Sequence, residues 1–152
     1  MIGDNRFNTD LGYIEDRNFT IRYVLSCKKV IFVPDVLYYY YKNVNSISNS
    51  ASQRERMSQV YATLSDIDIL SSPGVKPLYR DYACANLLQL ADFRLRQAKK
   101  YHLDDIQSEL LPIIAKAKAA VLRGGMKPGE KARFLGEHYY YELRNLVKYG
   151  RK

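Results

Sequence analysis

The chain has 152 residues, of which 47% are hydrophobic and 26% charged, with 14 Tyr, no Trp and a formal net charge of +8. That length and balance suit one folded domain with a real core and exclude wholesale disorder. No run approaches the roughly 20 apolar residues of a membrane-spanning helix, and the cation excess favours an anionic partner without selecting among nucleic acid, lipid headgroups and phosphorylated sugars.

Residues 1–13 carry Gly, Asn, Asp and Thr among few apolar groups, which predicts an irregular loop. From Glu15 to Cys27 the apolar Phe19, Tyr23, Val24 and Cys27 fall at helical spacing. Glu15 and Asp16 then occupy the first turn, where acidic side chains suit the helix dipole. Val30–Val33 and Val36–Tyr41 are short β-branched and aromatic runs across a Pro34-Asp35 break, the pattern of two strands. Asn43 to Ser50 is polar and turn-like.

Beyond Ser50 every segment has helical character. Ser52 and Glu55 fit a capping box, and Met57, Val60, Tyr61, Leu64 and Ile67 follow as one apolar stripe. Ser71-Ser72-Pro73-Gly74 ends that helix, and Pro77 suits the opening of the next. Residues 78–98 are apolar on most faces, as in a central buried helix. Asp104 is the expected cap of a further helix with the stripe Ile106, Leu110, Ile113, Ile114, Ala117 and Val121. Pro112 should kink it and Gly124-Gly125 end it. Pro128 and Glu130 open a last helix that runs to about Tyr149. The expected class is α+β and predominantly α-helical: an N-terminal helix, a short two-strand unit and about four packed helices, with residues 1–50 set apart from 51–152.

Cys27 and Cys84 lie outside any CxxC or Cys/His cluster. The expectation is two reduced core thiols in a cytosolic protein, with neither a zinc site nor a disulfide framework. His102 and His138 each lack a second ligand at metal spacing and read as surface or core residues. The N-terminal residues have no apolar run and do not read as a signal peptide. The expected location is cytoplasmic, with any membrane contact peripheral and at the inner face.

Gly12-Tyr13-Ile14-Glu15-Asp16-Arg17-Asn18-Phe19 resembles the G-x-x-E-D-x-x-F signature of bacterial family 2 glycosyltransferases, which are GT-A type enzymes. The pieces that follow keep that family's order: an amphipathic helix ending in Lys28-Lys29-Val30, a two-strand unit with Pro34 and Leu37-Tyr38-Tyr39-Tyr40, and Asn45-Ser46-Ile47-Ser48, close to its N-S-I-S/T ending. The match covers roughly the first third of the chain. The helical remainder is similar to the variable C-terminal helices of polysaccharide-, capsule- or lipopolysaccharide-building members and holds no diagnostic motif.

The resemblance implies inverting hexosyl transfer from a nucleotide sugar to a carbohydrate acceptor. An alcohol attacks well only if its proton leaves as the new bond forms, and a positioned carboxylate can take that proton. By the family's pattern that general base is Asp16, with Glu15 orienting or binding the acceptor. Tyr38 and Tyr40 would line a sugar-binding face, and Lys42, Ser46 and Ser48 would lie near the donor phosphates. Where family members often carry Arg or His, this chain has Lys42 and Asn45. Acidic residues are also common in first turns for capping and dipole reasons alone, and Tyr is a good strand former.

The family's nucleotide-binding half, a Rossmann-like unit of about a hundred residues, precedes the Glu-Asp motif and carries an Asp-x-Asp that holds Mg or Mn against the diphosphate. No Asp-x-Asp stands before Glu15 here. Asp66-Ile67-Asp68 has the letters but falls in a helical stretch and reads as a solvated face. The expectation is therefore no cofactor bound by this chain and no sugar transfer by it alone. Strands deprived of a packing partner expose apolar faces and open edges, so the expectation is self-association, or a chain that folds mainly as a helical bundle with a small β appendage. The alternative is a basic helical module for a membrane surface or partner protein, suggested by Arg133, Arg144, Lys148, Arg151 and Lys152 beside Phe134 and Tyr139–Tyr141. Nucleic acid is not the expected partner, because no zinc finger, RNP-like motif or helix-turn-helix pattern accompanies the charge.

Overall fold

The structure, a computed structural model, describes residues 4–11, 14–36, 38, 39 and 51–149. In chain order its elements are α1 (Glu15–Ser26), α2 (Gln53–Arg56), α3 (Ser58–Leu70), α4 (Pro77–Lys100), α5 (Asp104–Arg123) and α6 (Pro128–Tyr149).

No strand occurs among the described residues, which corrects the predicted two-strand unit as far as they reach. Val30, Ile31, Phe32, Val33, Val36, Tyr38 and Tyr39 instead have no regular secondary structure and are 49–93% exposed. β-branched and aromatic residues favour a strand only where a neighbouring strand and a packed face complete it. Among the described residues nothing supplies either one, and the class is helical there.

α4 is the central element, in contact with α3, α5 and α6. Leu88 and Leu95 on α4, Val60 on α3, Ile106, Leu110 and Val121 on α5, and Phe134 on α6 share one core. Burying each such side chain stabilises the fold by about 1.5–3 kcal/mol. The most extensive interface joins α4 to α5, and Ala85, Ala91 and Ala98 of α4 and Ala117 of α5 are buried in the shared core.

The helix ends show which local signals were decisive. The capping box forms as predicted: Ser52 Oγ accepts the Glu55 N–H at 3.2 Å, and Glu55 Oε2 accepts the Ser52 N–H at 2.6 Å. Those bonds hold the Glu55 carboxyl below the usual carboxylate range. α4 ends in a Schellman turn with His102, at φ 54°, where glycine is usual. Leu103 N–H bonds Ala98 O at 2.9 Å, His102 N–H bonds Lys99 O at 3.3 Å, and Leu103 packs on the core.

This tight turn displaces the predicted cap. Leu103 takes the N-cap position of α5, and Asp104, already helical, accepts from the Gln107 side chain at 3.0 Å. α5 runs unbroken through Pro112, which is exposed. Gly124 stops α5 with an ordinary φ of −63°. Glycine is required there by proximity, since a Cβ would lie 2.7 Å from Asp81 Cγ. Cys84 is buried and Cys27 only half-buried, and both are free thiols.

Candidate functional site

The Glu15-Asp16 pair sits at the start of α1. Ile14, immediately before it, adopts a left-handed conformation at φ 64° and ψ 23° and provides no side-chain cap. For a β-branched residue this conformation is a true outlier, with a cost of about 1–3 kcal/mol that the surroundings must hold. Strain of this kind concentrates at working sites. Glu15 is half-buried, whereas Asp16 is exposed. Asp16 Oδ1 accepts the Arg17 backbone N–H at 2.7 Å, and the Asp16 carbonyl accepts from the Thr20 hydroxyl at 2.8 Å.

The next two residues of the motif anchor the helix start to α3. Arg17 Nε donates to Asp66 Oδ2 at 2.9 Å, and its Nη2 donates to Thr63 Oγ1 at 2.8 Å. Asn18, 1% exposed, donates from Nδ2 to Asp66 Oδ1 at 2.9 Å and to Ser65 Oγ at 3.1 Å. Both oxygens of the buried Asp66 carboxylate are thus engaged. Asp66-Ile67-Asp68 is therefore not a uniformly solvated face: Asp68 is exposed, and Asp66 is the pin that holds α1.

Phe19, the last residue of the motif, stacks on Phe7 at 4.5 Å between ring centroids and on Tyr23 at 6.0 Å. These contacts lay the N-terminal loop along α1. Arg22 Nη2 reinforces them by donating to the Arg6 carbonyl. Glu15 and Asp16 consequently head a helix held in place by Arg17, Asn18 and Phe19.

Of the other expected site positions, Tyr38 is described and is 78% exposed. Tyr40, Lys42, Ser46 and Ser48 lie outside the described residues. Among the described residues no group of three or more His, Cys, Asp or Glu stands at metal-holding geometry. Asp66 is already saturated by Arg17 and Asn18, so Asp66-Ile67-Asp68 does not fit an Mg or Mn site. No described helix is long and apolar enough to cross a membrane.

The sequence pattern alone does not mark Arg17, Asn18 and Asp66 as anchoring groups. The available signal was Thr63 and Asp66 at i, i+3 spacing, a polar pair that shares a face of α3. Comparison with protein-family models, with curated proteins and with solved structures finds no match.

Proposed function

We propose that this chain is the acceptor-side part of a nucleotide-sugar-dependent glycosyltransferase of family 2, of the kind that builds polysaccharide, capsule or lipopolysaccharide. The observation that carries this reading is the ordered series from Gly12 to Ser48, with its carboxylate pair at the head of a helix. The exposed Asp16 is open to an acceptor hydroxyl and would take its proton as the glycosidic bond forms. The strained turn at Ile14 and the Arg17–Asp66 anchor support it, because a general base must be held in place as well as exposed.

On this reading the chain by itself transfers no sugar. Donor phosphates and their metal belong to a nucleotide-binding unit, against which Val30, Ile31, Phe32 and Val36 would pack. Without that unit, these residues favour self-association, which light scattering at rising concentration would detect. Reading the source transcript upstream of the Met1 codon tests the proposal. An in-frame extension of about a hundred codons with an Asp-x-Asp is expected. Asp16→Asn in that longer protein should then lower transfer by about 10²–10⁴-fold. An in-frame stop directly upstream, or full activity in the variant, would refute the assignment.

One observation favours the second reading, a membrane-surface module. Tyr139, Leu143 and Val147 recur every four residues along α6 and are all exposed, beside exposed Tyr140 and Arg144. Co-sedimentation with anionic vesicles that weakens with salt is the expected result. Equal binding to neutral vesicles, or none, rules it out.

A further inference from the structure

An open cleft of ≈ 490 Å³ lies between the beginning of α4 and the end of α5. Arg80 comes from α4, and Lys116 and Arg123 come from α5. Ala119 and Ala120 line the wall between them, and their short side chains leave the space open. Gly124 contributes backbone alone, because Asp81 leaves no room for a Cβ.

The charges in this cleft are not balanced. Lys116 and Arg123 are exposed and form no ion pair among the described residues. Among the described residues the one lining carboxylate is Asp81, which is buried. Its Oδ1 meets Arg80 Nη2 at 3.1 Å and its Oδ2 accepts the Gly125 N–H at 2.6 Å, so both oxygens are occupied. Helix dipoles explain only part of the arrangement. Arg123 suits the C-terminal turn of α5, but Lys116 stands about two turns earlier. Arg80 lies near the N-terminus of α4, where a cation is unfavourable. Asp81 offsets the charge of Arg80, and Lys116 and Arg123 are left as an excess of positive charge on the cleft that an anion would balance.

We propose that this cleft binds a phosphate group, as a phosphomonoester or a diphosphate. Arg80 and Arg123 would each offer planar pairs of N–H donors to its oxygens, and Lys116 a point charge. Glu15 and Asp16 lie on α1, which packs on α3. The inference therefore stands apart from the glycosyltransferase reading and does not depend on it.

The test is calorimetric titration of the full chain with pyrophosphate. Saturable binding is expected, and Lys116→Gln with Arg123→Gln should weaken it about 10-fold or more. Arg80 is left in place there, so that Asp81 keeps its partner. Lys28→Gln with Lys29→Gln removes the same charge from an exposed segment and should change affinity by less than about twofold. Thermal unfolding of both variants checks that they remain folded. No saturable binding to the unaltered chain, or equal weakening in both variants, overturns the proposal. A parallel flotation with phosphatidic acid vesicles separates the two sources of such a group. Binding lost in the Lys116/Arg123 variant assigns a lipid headgroup, and pyrophosphate binding without flotation assigns a soluble phosphate ester.

Discussion

His138 Nδ1 lies 2.7 Å from Asp92 Oδ2, and the two buried side chains join α6 to α4. Burial pushes the Asp92 carboxyl above its usual range, while the hydrogen bond and charge of His138 oppose that rise. His138→Leu therefore leaves a buried carboxylate without its partner. We expect a loss of about 3–5 kcal/mol in urea unfolding. Asp92→Leu added to that variant should recover most of the loss, since an apolar pair needs no compensation. A double variant no more stable than His138→Leu alone would contradict this account.

Asp66→Ala removes the acceptor of both Arg17 and Asn18. The buried Asn18 amide then keeps only its bond to Ser65 Oγ, so stability should fall by about 1–3 kcal/mol, and amide exchange in α1 should accelerate. Asp68→Ala, on the exposed side of the same helix, should stay within about 0.5 kcal/mol of the parent. Equal effects at the two positions would mean that Asp66 is not the anchor.

Ile14 offers a direct measure of strain. Gly accepts its left-handed conformation and Ala does not, and both remove the same apolar side chain to within one methyl group. Ile14→Gly should be more stable than Ile14→Ala by about 1 kcal/mol in matched denaturant titrations. The opposite order would show that position 14 is unstrained.

The glycines separate by what surrounds them. Gly124→Ala forces a methyl group against Asp81 and threatens its bond to the Gly125 N–H. A cost of about 1–3 kcal/mol is expected. Gly136 lies inside α6 with open space around it, so Gly136→Ala should raise stability by about 0.5–1 kcal/mol. Melting temperatures of the two variants should move in opposite directions.

Glu130 makes one contribution depend on pH. The Tyr82 hydroxyl and the Lys127 N–H both donate to its carboxylate and hold its pKa below the ordinary 4.5. The folded value is depressed, so this stabilisation is fully present above the unfolded value. It is lost as pH falls through the folded value. Glu130→Gln should be less stable than the parent at pH 7, and the gap should close as both are acidified below about pH 4. A gap that is constant from pH 7 to pH 3 would exclude the linkage.

What the sequence determined by itself is local in origin. The Ser52–Glu55 box, the openings at Pro77 and Pro128 and the apolar stripes of α3, α4 and α5 depend on residues within a turn or two of each other, so periodicity and capping chemistry reveal them. His102 shows the limit of such signals, because a Schellman turn without glycine carries no compositional mark. The candidate site divided the same way. Glu15 and Asp16 were legible as a motif, but their anchor was not. Asn18 and Asp66 are 48 positions apart, His138 and Asp92 46, and Gly125 and Asp81 44. Those pairings exist only once the helices have packed, which is also what turned Asp66 from a surface residue into a buried one. The run Val30–Val36 illustrates the converse. Its residues prefer a strand, yet a strand is completed by another segment's hydrogen bonds, and among the described residues none provides them.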